Sequence, residues 1–177
     1  MELRFRMPAA DEMERPPTQR DQFDNDDVEL VDALVRESIQ NSLDAKLEGT
    51  EEPVRVCFRI EMLCDERLSQ ANELLHPATL NEHLKACDLP LIDPSEPMRL
   101  LVIEDFGTTG LTGSWRNLDE MPFSDFWRRM GRSHKSGQAL GRWGLGKLVF
   151  SSSSKARVFL GLTERAGETE RLLMGQA

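Results

Sequence analysis

Several things are scarce in this chain, and each scarcity closes off a class of function. No apolar run approaches the roughly 20 residues that a membrane-spanning helix needs, so no transmembrane segment is expected. Residues 1–27 are polar and acidic, which fits neither a secretory signal nor a transit peptide. Cysteine occurs three times, at Cys57, Cys64 and Cys87, an odd number with no CxxC pair. That argues against a disulfide framework and for a reducing, cytoplasmic setting. His83 and Cys87 stand one helical turn apart near His76, but a fourth ligand and a zinc-type spacing are both missing. Positive charge is the minority sign, with 22 Lys and Arg against 31 Asp and Glu, a net charge of -9. An acidic chain is a poor general binder of nucleic acid, because phosphate neutralisation needs clustered cations. The one local cluster is Arg128, Arg129, Arg132, Lys135, Arg142 and Lys147. A DNA contact is therefore open but not supported by charge. No internal repeat is present.

What remains is a 177-residue chain with 39% apolar and 30% charged residues, enough for one globular domain with its own core. Residues 1–25 hold one alternating stretch, Glu2-Leu3-Arg4-Phe5-Arg6-Met7, and then Pro8, Pro16 and Pro17, which predict an extended arm. Such an arm could reach a partner subunit. Val28, Val31, Val35, Ile39 and Leu43 recur at helical spacing and predict a helix over 26–47, ended by Gly49. Alternation over 54–60 predicts a strand. Residues 65–97 carry two short helical patterns separated by Pro77, an inserted pair. The apolar run over 98–103 predicts a central strand. Residues 107–140 are rich in Gly, Ser and Thr around a short aromatic helix near 123–130; such a loop is usually functional. A helix over 145–152, a strand over 156–163 and a partner strand from Arg171 close the pattern. The expected fold class is α+β: a two-layer sandwich in which a mixed sheet is covered on one face by helices.

Three stretches carry chemistry. In Arg36-Glu37-Ser38-Ile39-Gln40-Asn41-Ser42-Leu43-Asp44-Ala45, residues Glu37, Asn41 and Asp44 share one helical face, with the apolar stripe roughly opposite. An Asn amide oxygen can ligate magnesium, and a Glu one turn away can polarise a water. The plain alternative is a solvated polar stripe. In Glu104-Asp105-Phe106-Gly107-Thr108-Thr109-Gly110, Asp105 ends a strand, at a sheet edge where ligands often sit. Its carboxylate can accept from an adenine amine, while Gly107 and Gly110 let the backbone approach a flat ring. An ordinary Asp-Gly turn explains the same residues. In Gly141-Arg142-Trp143-Gly144-Leu145-Gly146-Lys147, glycines before a helix can wrap an anion at the helix dipole, and Lys147 adds a charge. This last stretch fits neither a P-loop nor a dinucleotide fingerprint.

Together, in order and spacing, these stretches resemble the GHKL or Bergerat-fold ATPases, the family of gyrase B, MutL, the ninety-kilodalton chaperones and MORC proteins. Glu37-x3-Asn41-x2-Asp44-Ala45 is similar to the family's N-box. Asp105-Phe106-Gly107-Thr108-Thr109-Gly110 is similar to its D-x-G-x-G box, with one extra residue between the glycines, and Gly141-x2-Gly144-x-Gly146 to its second glycine box. The resemblance covers 26–177. It implies ATP and Mg2+ as cofactors, with Glu37 as the base that activates water and Asn41 as the metal ligand. Asp44 and Ala45 would line the pocket, Asp105 would read adenine, and Gly107 and Gly110 would shape the base site. Gly141, Gly144, Leu145, Gly146 and Lys147 would cradle the phosphates. Residues 108–140 would form an ATP lid, with Ser133, His134, Lys135 and Ser136 able to close on the phosphates. Family members place a Thr near adenine on a later strand, and Thr163 and Thr169 fall earlier than that pattern expects. The resemblance further implies an ATP-driven homodimer switch and a downstream transducer or effector domain beyond Ala177. Two other readings stay open: a nucleotide-sensing module without hydrolysis, and an α+β binding domain with incidental glycines.

Overall fold

A computed structural model describes residues 30–114, 116, 123–128 and 148–176. The described residues form five helices and four strands in an α+β arrangement. They run α1 (Leu30–Asp44), β1 (Arg55–Leu63), α2 (Asp65–Leu75), α3 (Pro77–Ala86), β2 (Met98–Phe106), α4 (Phe123–Arg128), α5 (Leu148–Ser153), β3 (Phe159–Glu164) and β4 (Arg171–Gln176). None of these helices is long and apolar enough to cross a membrane.

The strands pair as two antiparallel ribbons, β1 with β2 and β3 with β4. The expected single mixed sheet is not what the described residues form. Each ribbon closes by the chain turning back on itself, and no described strand pair is joined by the crossover that parallel pairing requires. In the first ribbon, Arg55 lies opposite Phe106 and Leu63 opposite Met98, with continuous register between. The long connection is the α2–α3 pair. In the second, Glu164 lies opposite Arg171 across a turn that uses Gly167 at φ 81.

Element boundaries differ from the sequence expectation where the backbone is diverted. α1 ends at Asp44 rather than 47, because Lys46 leaves the helix to bridge Thr108. β3 begins at Phe159 rather than 156, because Arg157 sits in the left-handed region at φ 58 and cannot extend a strand. β1 runs on to Leu63, which is buried and pairs with Met98.

Two clusters hold the molecule together. Leu75, Leu80 and Leu84 of the helical pair pack with Val158, joined by Leu89, Ile92, Met98 and Ala156. The insertion is thus part of the core. Its hinge is His76 at φ 46, followed by Pro77 at the first helical position, where its missing N–H costs nothing. Asn81 clamps the exit loop, donating to Ile92 O at 2.8 Å and accepting from Ile92 N at 2.9 Å. The second cluster joins Ala33 and Leu34 of α1 to Val149 of α5, with Leu30, Ile103 and Phe150 around them. Only the Ile103 end of β2 is covered in this way. Leu100 and Leu101 remain 40% and 42% exposed, so β2 is not the doubly covered central strand that its apolar run predicts.

Candidate functional site

The helix that carries the first motif is turned opposite to an ordinary amphipathic helix. Its branched apolar residues point outward: Val31 is 65% exposed, Val35 37%, Ile39 40% and Leu43 52%. Its buried positions are Ala33, Leu34, Ser38 and Ser42. Glu37 and Asn41 lie half-buried beside those serines. Of the polar stripe weighed from sequence, these two residues are partly covered. Burying serines is tolerated because each hydroxyl donates back one turn, Ser38 Oγ to Leu34 O at 2.7 Å and Ser42 Oγ to Ser38 O at 2.9 Å. The Glu37 carboxylate, 23% exposed, has the Arg36 guanidinium at 3.9 Å. Asp44 sits apart from this inner face. It is exposed, accepts from Gln40 Nε2 at 2.7 Å, and borders an open depression of about 440 Å3 that runs from Leu43 to Thr50.

The second motif meets the first. Successive residues of a strand point to opposite faces. Ile103 packs against the cluster that Ala33 and Leu34 of α1 form with Val149 of α5, so Asp105, two residues on and exposed, lies on the same side of the ribbon. The opposite side is confirmed by its contacts: Glu104 accepts from Arg59 at 3.1 Å, and Arg55 stacks 4.4 Å from the Phe106 ring. After Phe106 the chain turns on Gly107 at φ 75, where a Cβ would stand 2.9 Å from Pro53 O. The turn is then bonded to the end of α1 through the main chain alone. Leu47 N donates to Gly107 O at 3.0 Å, and Thr109 N donates to Ala45 O at 2.8 Å. Glu37 and Asn41 thus lie on the inner face of α1, and Asp105, exposed at the end of β2, precedes the turn that is joined to the end of that helix.

The loop continues onto the second ribbon. At Gly110, φ is 69 and a Cβ would lie 2.5 Å from Glu164 O and 2.9 Å from Thr163 Oγ1. Only glycine fits there. Leu111 N donates to Thr163 Oγ1 at 2.8 Å, and Ala166 N donates to Thr109 O at 3.3 Å. Thr163 is buried, and it shares the inner face of β3 with Phe159 and Gly161. Set aside from sequence as too early in the chain, it stands against the Asp105–Gly110 turn. The alternation over 159–164, with a hydroxyl at an inward position, was the legible signal. A wall of aromatic rings closes the ribbon's inner side. Trp127 stacks on Phe159 at 5.2 Å and lies against Gly161, while Phe126 meets Phe150 at 6.4 Å.

One shifted carboxyl lies near this region but faces away from it. Hydrogen bonds from Arg67, and then from Arg59, hold the Glu61 carboxyl below its ordinary value. By register Glu61 lies on the ribbon side opposite Asp105. Ser133, Lys135, Gly141, Gly144, Leu145, Gly146 and Lys147 lie outside the described residues, as does most of the expected lid, while residues 108–114 are bonded as above. Set against known protein families, curated proteins and solved structures, the chain matches none of them.

Proposed function

We propose that this chain binds ATP with magnesium between α1 and the helix-facing side of the β1–β2 ribbon, and hydrolyses it as a Bergerat-type conformational switch. One observation carries the reading: beside Ala33 and Leu34, α1 buries two serines and half-buries Glu37 and Asn41, while leaving Val31, Val35, Ile39 and Leu43 outside. A helix under packing pressure alone would do the reverse. In support, Ile103, two residues before Asp105 on the same side of β2, packs against the cluster that includes Ala33 and Leu34, and main-chain bonds join the segments that follow α1 and β2.

The roles follow from chemistry. Asp105 accepts from the exocyclic amine of adenine, a choice that favours adenine over guanine. Gly107 and Gly110 keep the turn flat against the ring, with the Thr163 hydroxyl behind it. Asn41 offers an amide oxygen to magnesium, which is bound through phosphates and water with few protein ligands. No group of three or more His, Cys, Asp or Glu gathers among the described residues, and a magnesium held largely by phosphate needs none. Bound there, the ion would neutralise phosphate charge. Glu37 takes a proton from the attacking water. The glycines at 141, 144 and 146, with Lys147, would cradle the phosphates.

Calorimetry tests the reading: magnesium-dependent uptake of ATP is expected, and its absence in a folded sample sinks the proposal. Glu37→Ala should retain ATP affinity and lose about 100- to 10,000-fold in phosphate release, the range of a general base. Uptake without any phosphate release by the wild-type chain would make it a nucleotide sensor instead.

A further inference from the structure

Arg165 opens the β3–β4 turn, and the sequence gives no reason to single it out. Its side chain is only 9% exposed. Arginine is rarely buried to this extent without a carboxylate to match, yet here the guanidinium faces backbone. Nε donates to Leu111 O at 2.7 Å, and Nη2 donates to Gly113 O. Nη1 reaches Glu168 Oε2 at 3.4 Å, and that carboxylate is itself 48% exposed. The guanidinium carbon lies 5.7 Å from the centroid of the buried Phe123 ring.

These contacts complete a pattern along the loop. Leu111 is held at both polar groups, its N–H by Thr163 Oγ1 and its carbonyl by Arg165. Thr109 is held at its carbonyl by Ala166 N and at its N–H by Ala45 O. The loop that follows Asp105 is therefore strung between α1 on one side and residues 163–166 on the other. A loop carbonyl turned into protein without a donor would be left unpaired at considerable cost. Two carbonyls two residues apart need a rigid two-pronged donor. A guanidinium is such a fork, and an ammonium, a point charge on a flexible stem, is not.

We infer that Arg165 is the positioning residue for the 107–113 loop and, resting on the nucleotide reading above, that it sets ATP affinity and the preference for adenine from the side of the loop away from α1. It touches no substrate. It acts through the carbonyls of Leu111 and Gly113, which orient the turn next to Asp105.

The test uses the full chain with Arg165→Ala and Arg165→Lys. Two quantities are read: Mg-ATP and Mg-GTP affinity by calorimetry, and amide exchange at Leu111 and Gly113 without nucleotide. In Arg165→Ala the two amides should exchange faster while those of β1 and β2 keep their protection. ATP affinity should fall roughly 10- to 100-fold, the worth of hydrogen bonds from a charged donor. The ratio of ATP to GTP affinity should shrink as well, which a general loss of stability would not cause. Arg165→Lys guards against an unfolded alanine variant and should recover only part of the affinity. Wild-type-like affinity and base preference in both variants would overturn the inference while leaving the nucleotide reading intact. A wild-type chain that takes up no ATP, together with freed Leu111 and Gly113 amides in Arg165→Ala, would remove the nucleotide reading and its part in the inference; the hold on the loop would stand.

Discussion

α1 and the α2–α3 pair obey opposite rules. In the pair, the periodic leucines point where a hydrophobic pattern says they should, and Leu75, Leu80 and Leu84 make the core. In α1, the equally periodic Val31, Val35, Ile39 and Leu43 point away, and Ser38 and Ser42 point in beside Ala33 and Leu34. Both helices fold from the same physics. The difference is that one inner face is filled by leucines, whereas the other carries two buried serines and a half-buried carboxylate and amide. A helix that departs from the packing rule, and repairs the departure with serines bonding back along itself, is where the proposed function would compete with stability.

That contrast can be broken or sharpened by substitution. The largest effect on stability is expected on the obedient side. Leu80→Ala, at a side chain 2% exposed, should cost about 2–5 kcal/mol and leave nucleotide affinity unchanged; denaturant unfolding and calorimetry read the two halves of that statement. Next, Ser38→Leu should convert α1 toward an ordinary helix by overfilling its inner face. A cost of about 1–3 kcal/mol is expected, together with loss of ATP binding. Unchanged binding there would mean that the inner face does not meet the nucleotide. Val35→Lys, on the outward stripe, should stay within roughly 0.5 kcal/mol of wild type. A larger loss, measured by denaturant unfolding across a range of protein concentrations, would show that a second surface covers the stripe. The smallest effect lies on the far side of the ribbon. The Glu61 carboxyl is held below its ordinary 4.5 by Arg67 and Arg59. Its contribution is therefore present above that value and fades as pH falls through the folded one. Glu61→Gln should unfold slightly more easily than wild type at neutral pH, and the gap should close in acid.

Most of the secondary structure was legible in the sequence, because periodicity and alternation are local. The two insertion helices, both strands of the first ribbon and the closing hairpin follow from spacing that the chain displays openly. The orientation of α1 was not legible. Its apolar stripe is a correct signal for a helix and a misleading one for direction, since the serines that face inward carry no mark of burial. Asp105, Gly107 and Gly110 stood out as an acid and two glycines. The requirement for Gly110, a backbone carbonyl from Glu164 pressed against it, depends on a contact more than 50 residues away that no local pattern encodes. Thr163 lies beside the Asp105–Gly110 turn because the β3–β4 hairpin carries it there, a contact that spacing along the chain does not display. The pairing of β1 with β2 across the helical insertion also escaped, since alternation predicts a strand but not its neighbour.

The tie between Ala45–Leu47 and the Gly107 turn includes two bonds between amides and carbonyls, Leu47 N to Gly107 O and Thr109 N to Ala45 O. Drift in sequence can therefore recolour both segments without loosening them. Only proline at 47 or 109, which deletes a donor, would cut the link directly. A descendant of this chain could change the exposed side chains of α1 and still transmit a push from that helix to the turn.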